Sequence, residues 1–384
     1  MSGDDRTFAM MAKPVSSACN LRCEYCYYTG KRELLQVGPS RMSDDVLEAF
    51  VRQNLAMHGR NAAVEFAWHG GEPVLAGLPF FVKALALEKK YGKGRKIRNS
   101  LQTNGTLLDD AWCSFFKENG FLVGVSVDGP RDLHDASRKS AEGGPSFYRV
   151  MHGIGLLQKH GVPFNTLTTV NSVNMGHPEE VYSFLRKLTD HMQFLPVVES
   201  LPQDVEAVRG MRNAIPPGLY TLGALRTTAP FSVTGSGYGS FLCAVYDVWK
   251  RLDMGRKHVQ LIDVAIENLK GRPASLCVHD PLCGHSGTVE SNGDVYCCDR
   301  YAYENYRLGN IMRESLADLM ERNRPFGMSK TYGLGSFCFE CPYVKLCFGG
   351  CPKDRLDGSL NYLCKGYKMF FQRICEDREM LTAL

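Results

Sequence analysis

Residues 17–28 read SACNLRCEYCYY, which puts Cys19, Cys23 and Cys26 inside eight positions with aromatic residues around the last of them. Structural zinc takes four protein ligands, so a compact trio with no adjacent fourth cysteine is a poor zinc site. A cubane iron–sulfur cluster fits the spacing better, because three soft thiolates hold three irons and leave the fourth iron open to a small molecule. On this reading the absent fourth thiol is what gives the site its function.

The remaining cysteines support metal chemistry. The chain has fifteen in 384 residues: the trio, the isolated Cys113 and Cys243, and ten between positions 277 and 375. Under reducing conditions such a load points to metal ligation rather than to disulfides. The N-terminus, MSGDDRTFAMMAKP, has no charged leader followed by an apolar run, and no stretch is long enough to span a bilayer, so a cytoplasmic protein is expected. A net charge of +4 with 22% charged residues provides no basic surface on the scale of a nucleic acid. Neither nucleic acid nor membrane is an expected partner.

Outward from the trio, short apolar runs end in polar or glycine-rich tetrads: AVEFAWHGGEP at 63–73, KIRNSLQTNG at 96–105, FLVGVSVDGP at 121–130, PFNTLTTVN at 163–171 and MQFLPVVES at 192–200. With the opening FAMMAKPVSSACN they make six candidate strands. Amphipathic stretches separate them, including SDDVLEAFVRQNLAMHG at 43–59, which Ser43 can cap, and DDAWCSFFKENG at 109–120. Alternating strands and helices imply parallel β/α units, whose chemistry collects at the C-terminal ends of the strands, where the tetrads lie. The pattern dissolves after 200 and resumes with helical segments at GSFLCAVYDVWKRLDMG and HVQLIDVAIENLKG. The expected division is a partial barrel over 1–235, a helical connector over 236–276 and a cysteine-rich domain over 277–384.

In that last domain Cys277 and Cys283 are followed by Cys298 in SNGDVYCCDRY. Cys338, Cys341, Cys347 and Cys351 then come from FCFECPYVKLCFGGCPKDR, and Cys364 closes the series. CxxC pairs suit zinc as well as iron–sulfur clusters, so spacing alone leaves two zinc ribbons open. Cys113 and Cys243, on helical patterns, read as small core hydrophobes, and Cys297 points away from Cys298 if its segment is a strand. Cys375 is left without a role.

The trio followed by Tyr27 resembles the radical S-adenosylmethionine enzymes, and the C-terminal cysteines resemble their twin-cluster SPASM extension. The order of KPVSSACNLRCEYCYY, FAWHGGEPVLAG, NSLQTNGTLLDD, FLVGVSVDGP, VESNGDVYCCDRY and RLGNI is most similar to the anaerobic sulfatase-maturating enzymes, over nearly the whole chain. The resemblance implies an α/β fold, a partial (β/α)6 TIM-like barrel with a C-terminal SPASM domain. It implies S-adenosylmethionine and three 4Fe–4S clusters: one on the trio, one on Cys277, Cys283, Cys298 and Cys351, and one on Cys338, Cys341, Cys347 and Cys364. Tyr27 and the turn Gly70-Gly71-Glu72 would contact the cofactor, the glycines because backbone must approach a ligand closely. Gln102, Asn104, Ser126, Asp128, Arg138 and Leu195 stand where relatives contact the cofactor or line the substrate channel.

The activity implied is oxidation of a cysteine or serine of a sulfatase polypeptide to Cα-formylglycine. A radical derived from S-adenosylmethionine would take hydrogen from Cβ, and an electron donor such as flavodoxin or ferredoxin would supply the clusters. Asp299 matches the family's base, with Tyr28 beside it to orient it. His69 stands where the family pattern has glutamine, near the substrate, or else caps a strand end. The 200–235 segment departs from the family in composition. Two other readings share part of the evidence. One is a maturase that crosslinks or epimerises a ribosomally made peptide. The other is a non-enzymatic iron–sulfur or zinc protein, which would need no GGEP turn.

Overall fold

The computed structural model describes residues 10–28, 31, 41–199, 228–356 and 360–384. Most of the 200–235 segment singled out above lies outside them.

Six parallel strands form the first half: β1 (Met10–Ala12), β2 (Val64–Trp68), β3 (Ile97–Thr103), β4 (Leu122–Ser126), β5 (Phe164–Val170) and β6 (His191–Pro196). They pair in chain order. Helices α1 (Asp44–Met57), α2 (Leu78–Gly92), α3 (Asp110–Glu118), α4 (Arg131–Ser137), α5 (Phe147–Lys159) and α6 (Pro178–Leu185) fill the crossovers. Their starts follow from the sequence: Ser43 Oγ accepts from Val46 N at 3.3 Å, and Asp109 Oδ1 from Trp112 N at 2.9 Å. Each satisfies an amide that the first helical turn leaves unpaired. Between sheet and helices runs a continuous aromatic layer, Phe50, Phe66, Trp68, Phe81, Trp112 and Phe116, packed mostly edge to face. Trp68 Nε1 donates to Asn99 Oδ1 at 2.7 Å, and Asn99 Nδ2 to Glu88 Oε2 at 2.8 Å, a chain that leaves only the second oxygen of Glu88, Oε1, without a partner.

The sheet does not close. On the far edge β7 (His258–Val259) adds parallel to β6. On the near edge β8 (Thr288–Val289) pairs parallel with β1, and β9 (Asp294–Tyr296) and β10 (Arg307–Asn310) continue it antiparallel, giving the order β10-β9-β8-β1-β2-β3-β4-β5-β6-β7. The cysteine-rich part is therefore stitched into the sheet of the barrel. One apolar core runs through both, from Met10 and Phe66 to Val289, Leu319 and Ile374.

Helices α7 (Gly235–Leu252) and α8 (Gln260–Leu269) link the halves, and α9 (Leu316–Arg322), α10 (Arg324–Tyr332) and α11 (Cys364–Glu376) are the longer helices of the C-terminal part, beside single turns at Ser336–Phe339, Val344–Cys347 and Arg378–Thr382. α7 and α11 cross in close contact because no side chain intervenes: a Cβ on Gly366 would lie 2.1 Å from Gly235 O. Among the described residues no helix is long and apolar enough to cross a membrane.

Candidate active site

Parallel pairing puts the ends of β1 to β6 on one rim, and the loop carrying Cys19, Cys23 and Cys26 lies across it. Its attachment to the turn after β2 is main-chain: Gly71 N donates to Ser16 O at 2.7 Å and Glu72 N to Ala18 O at 2.8 Å. A Cβ on Gly71 would sit 2.1 Å from Ala18 O, and Gly70 takes φ +135. The glycines thus let the cysteine loop itself come close, a reason nearer to hand than the approach of a ligand.

The rim residues are paired with one another. Glu72, fully buried, accepts from Val74 N, Thr103 Oγ1 and Asn104 N at 3.1, 2.8 and 2.7 Å. Burial raises its carboxyl to about 7 against these hydrogen bonds. A carboxylate has about four acceptor positions, so one stays open. Asn104 Nδ2 points at Cys19 Sγ, 3.7 Å away, and at Asn20 Oδ1, 2.8 Å away. Asp128 accepts from Tyr25, from Arg138 Nε at 2.9 Å and from Thr169 N at 2.9 Å, and Arg138 Nη1 reaches Cys23 Sγ at 3.9 Å. Asp128 therefore acts by aiming Arg138 at the cysteine loop. Burial pushes Cys23 up to about 12, with the Arg138 charge opposing it. Ser126 is buried at the end of β4, and Leu195 in β6 is half-buried opposite Thr169.

Asp299 follows Cys298 in sequence and stands next to the trio in space. It is ion-paired to Lys13, at the end of β1, and accepts from the Tyr27 hydroxyl. Burial would raise its carboxyl, but the Lys13 charge and hydrogen bond, the facing His69 and the Tyr27 hydroxyl together outweigh this and hold it well below the usual carboxylate range. His69 also faces Asp299 and works in the same direction as Lys13 on it, while burial lowers the pKa of His69 itself. The His69 ring bonds Gln102, and its Nδ1 has no hydrogen-bond partner. Lys13 is fully buried and the Asp299 side chain 21% exposed; Oδ1, facing Lys13, is itself covered, so access to the carboxylate is at Oδ2, beside the Tyr27 hydroxyl.

Tyr28 differs from expectation. Its hydroxyl donates to the buried Glu290, after β8, and the hydroxyl on Asp299 is that of Tyr27. The swap follows from the chain turning between them, which sends adjacent rings to different carboxylates, with centroids 5.9 Å apart. Tyr28 still touches the site through its face, since Lys13 Nζ lies 3.6 Å from its ring centroid. Lys31 lies 4.2 Å from the Tyr303 centroid and 4.8 Å from that of Tyr27, and burial lowers it to about 7. Of the groups that sequence reasoning missed, Lys13, Tyr25, Glu290 and Lys31, only Lys13 left a sign: a lone cation closing the apolar run FAMMA.

Farther on, Cys277, Cys283, Cys298 and Cys351 act electrostatically on one another although they come from four separate segments. Cys338, Cys341, Cys347 and Cys364 line one cavity with Phe337, Tyr343 and Phe371. The donors of both sets are all thiols, and among the described residues no three His, Cys, Asp or Glu side chains lie close enough to hold a single ion. Soft sulfur donors arranged this way fit iron–sulfur clusters. Arg300 forks onto Asp354 at 2.6 and 2.9 Å, tying the residues after Cys298 to those after Cys351, and Lys353 pairs with Glu199 beyond β6. Cys113 is buried in the core, and Cys297 is buried just beyond β9 and pushed up to about 11 by that burial.

Comparison with known proteins matches residues 14–185 to the radical SAM superfamily and 283–342 to SPASM, an iron–sulfur cluster-binding domain. The serine-type anaerobic sulfatase-maturating enzyme of Bacteroides thetaiotaomicron is 43% identical over 377 residues, covering 95% of this chain and 89% of that one. A cysteine-type enzyme of Clostridium perfringens is 34% identical, covering 95% of each. The solved structure of native anSMEcpe with bound AdoMet and Cp18Cys peptide superposes with a TM-score of 0.83 at 34% identity, over 98% of this chain and 99% of that one. Streptococcus suis SuiB bound to precursor peptide SuiA, at a TM-score of 0.62 and 13% identity over 92% of this chain and 75% of that one, shares the fold.

Proposed function

Since the chain belongs to the anaerobic sulfatase-maturating enzymes, radical SAM oxidoreductases that turn a peptidyl cysteine or serine into Cα-formylglycine with 4Fe–4S clusters and S-adenosylmethionine, we propose which of its residues do this. The supporting observation is one carboxylate, Asp299, reached at once from β1 through Lys13, from the trio through Tyr27 and from the second cysteine set through Cys298.

The reaction removes a hydrogen atom from Cβ, a proton from the hydroxyl or thiol, and an electron; from serine this gives the aldehyde directly, and from cysteine a thioaldehyde that takes up water and releases hydrogen sulfide to give the same aldehyde. The clusters and S-adenosylmethionine, when bound, supply the hydrogen abstraction and the electron acceptor. The proton goes to Asp299. Lys13 keeps that carboxylate ionised, Tyr27 fixes its orientation, and Oδ2 has a second lone pair, beyond the Tyr27 bond, for the target. Tyr28 steadies Lys13 through its ring face. The trio holds one cluster, with Asn104 and Arg138 donating toward Cys19 and Cys23. Cys277, Cys283, Cys298 and Cys351 hold the second cluster, and Cys338, Cys341, Cys347 and Cys364 the third. Tyr27, Gly70, Gly71, Glu72, Gln102, Ser126 and Leu195 would form the S-adenosylmethionine site, where the remaining acceptor position of Glu72 could take an amino group, with Asp128 acting through Arg138.

The substrate is a sulfatase polypeptide, and the higher identity to the serine-type relative puts serine first as its target. A flavodoxin- or ferredoxin-like donor in the cytoplasm supplies electrons, in keeping with thiols that must stay reduced. The barrel covers 1–235, the connector 236–276 and the SPASM domain 277–384. The experiment is anaerobic turnover of paired SxPxR and CxPxR peptides by reconstituted protein with reductant and S-adenosylmethionine. The expected product carries an aldehyde that a hydrazide traps, with the serine peptide consumed faster; a crosslink, which loses hydrogens and gives no trappable aldehyde, would refute the reading.

A further inference from the structure

α10 carries a buried charge that the reaction above does not use. Lys330, 0% exposed, points its Nζ at three backbone carbonyls of one loop: Cys277 O at 2.6 Å, Val278 O at 2.9 Å and Asp280 O. Burial works against the charge on Lys330, but an ammonium has three N–H donors and a neutral amine only two, so three carbonyl acceptors favour the charged form. Other residues in and beside α10 hold the neighbouring ligand segments. Cys283 N donates to Gly327 O at 3.3 Å, and a Cβ on Gly327 would lie 2.3 Å from Cys283 O. Thr331 donates to Pro281 O, and Asn323 Nδ2 to Gly284 O at 2.9 Å and Cys297 O at 2.8 Å. These segments have almost no regular secondary structure, so contacts of this kind are what hold their positions.

We propose that Lys330 is a positioning residue for the cluster on Cys277, Cys283, Cys298 and Cys351, pinning the 277–280 loop and setting a fixed positive charge beside the ligands so that the reduced cluster is favoured. The proposal rests on that cluster assignment. Thiols at Cys277, Cys283 and Cys351 are the sulfurs that the ammonium acts on; Asp280 opposes it, and Arg300 and Arg355 reinforce it from other sides. Reduction adds one electron, hence one negative charge, to the cluster. A desolvated cation close by stabilises that state and raises the potential, as charge and hydrogen bonding around the sulfurs do generally.

The test uses the full chain with Cys19, Cys23 and Cys26 replaced by alanine, so that only the C-terminal clusters remain. After anaerobic reconstitution, iron is counted and the clusters are titrated with dithionite by electron paramagnetic resonance. With Lys330→Met added, the reduced-to-oxidised ratio of one cluster at a fixed potential is expected to fall about ten-fold, equal to ~59 mV for one electron. Lys330→Arg should restore the ratio. Failure of Lys330→Met to load one cluster while Lys330→Arg loads it normally also supports the proposal, through the pinning of the loop. Full loading with an unchanged ratio in Lys330→Met overturns it and leaves the cluster assignment standing; so does equal loss of loading in both variants. Absence of iron from the triple-alanine parent overturns the assignment and the proposal together.

Discussion

The two halves of the molecule hold thiols by different means. In the barrel, three cysteines share one eight-residue span, and main-chain bonds and glycines press that span against the ends of regular strands. In the C-terminal half, eight cysteines come from scattered segments, and the fixing groups are charged or polar side chains: Lys330 on the 277–280 loop, Asn323 on the backbone beside Cys298, Arg300 on Asp354. Where a strand end supplies the framework, backbone carries most of the attachment, with Asn104 and Arg138 added at the thiols. Where none is available, buried cations and amides join main-chain contacts such as Cys283 N on Gly327 O, and each depends on every partner being in place.

The comparison breaks most sharply at the trio. Replacing Cys19, Cys23 and Cys26 by alanine should abolish 5′-deoxyadenosine formation while removing only about a third of the iron, since the other two clusters are built independently; iron analysis and chromatography of the cofactor products check this. Asp299→Asn comes next. It keeps the shape but not the proton acceptor, and should lower aldehyde formation about 10²–10⁴-fold while 5′-deoxyadenosine still forms. Unimpaired peptide oxidation would remove Asp299 from the mechanism.

Two alanines sharpen the contrast. Gly71→Ala meets Ala18 O at 2.1 Å and Gly327→Ala meets Cys283 O at 2.3 Å, both backbone atoms that cannot swing aside. The first should reduce loading of the trio's cluster alone and the second that of a C-terminal cluster alone, as read by iron content and by the resonance signals. Loss of all iron in either variant would show the two halves to be interdependent.

The smallest effect lies away from any thiol. Glu88 is buried, its Oε1 is without a partner, and desolvation raises its carboxyl to about 7 from 4.5. The folded protein then binds a proton that the unfolded chain has released, so stability falls as pH rises through this window and stays low above it. Glu88→Gln removes the dependence and should be more stable by about 1–3 kcal/mol at pH 8 and nearly unchanged at pH 4.5. Thermal melting of wild type and variant across pH measures the difference.

Much of the barrel was legible because its signals are local. Alternating apolar runs and capped amphipathic stretches placed β2 to β6, α1 and α3 within a few residues, and the trio lies in one line of sequence. Residue types at strand ends were legible too, but their partners were not: nothing in FLVGVSVDGP says that Asp128 is taken up by Arg138 and Tyr25, or in CYY that adjacent tyrosines serve Asp299 and Glu290 separately. In the C-terminal half CxxC spacing by itself did not exclude zinc ribbons, and grouping Cys351 with Cys277 needs contacts across 74 positions. Lys330 had no sequence signal at all, because a lysine among polar helix residues ordinarily faces water.

The pairing of β8 with β1 bears on anyone wishing to build a chimera. An accessory module joined by a tether can be exchanged at the tether, but here Lys13 N donates to Val289 O, and Ser16 Oγ lies 2.9 Å from Ser291 Oγ, on the approach to the first cysteine. A transplanted C-terminal half would have to reproduce a strand register against its new host, or the host's own radical-generating loop would lose a wall.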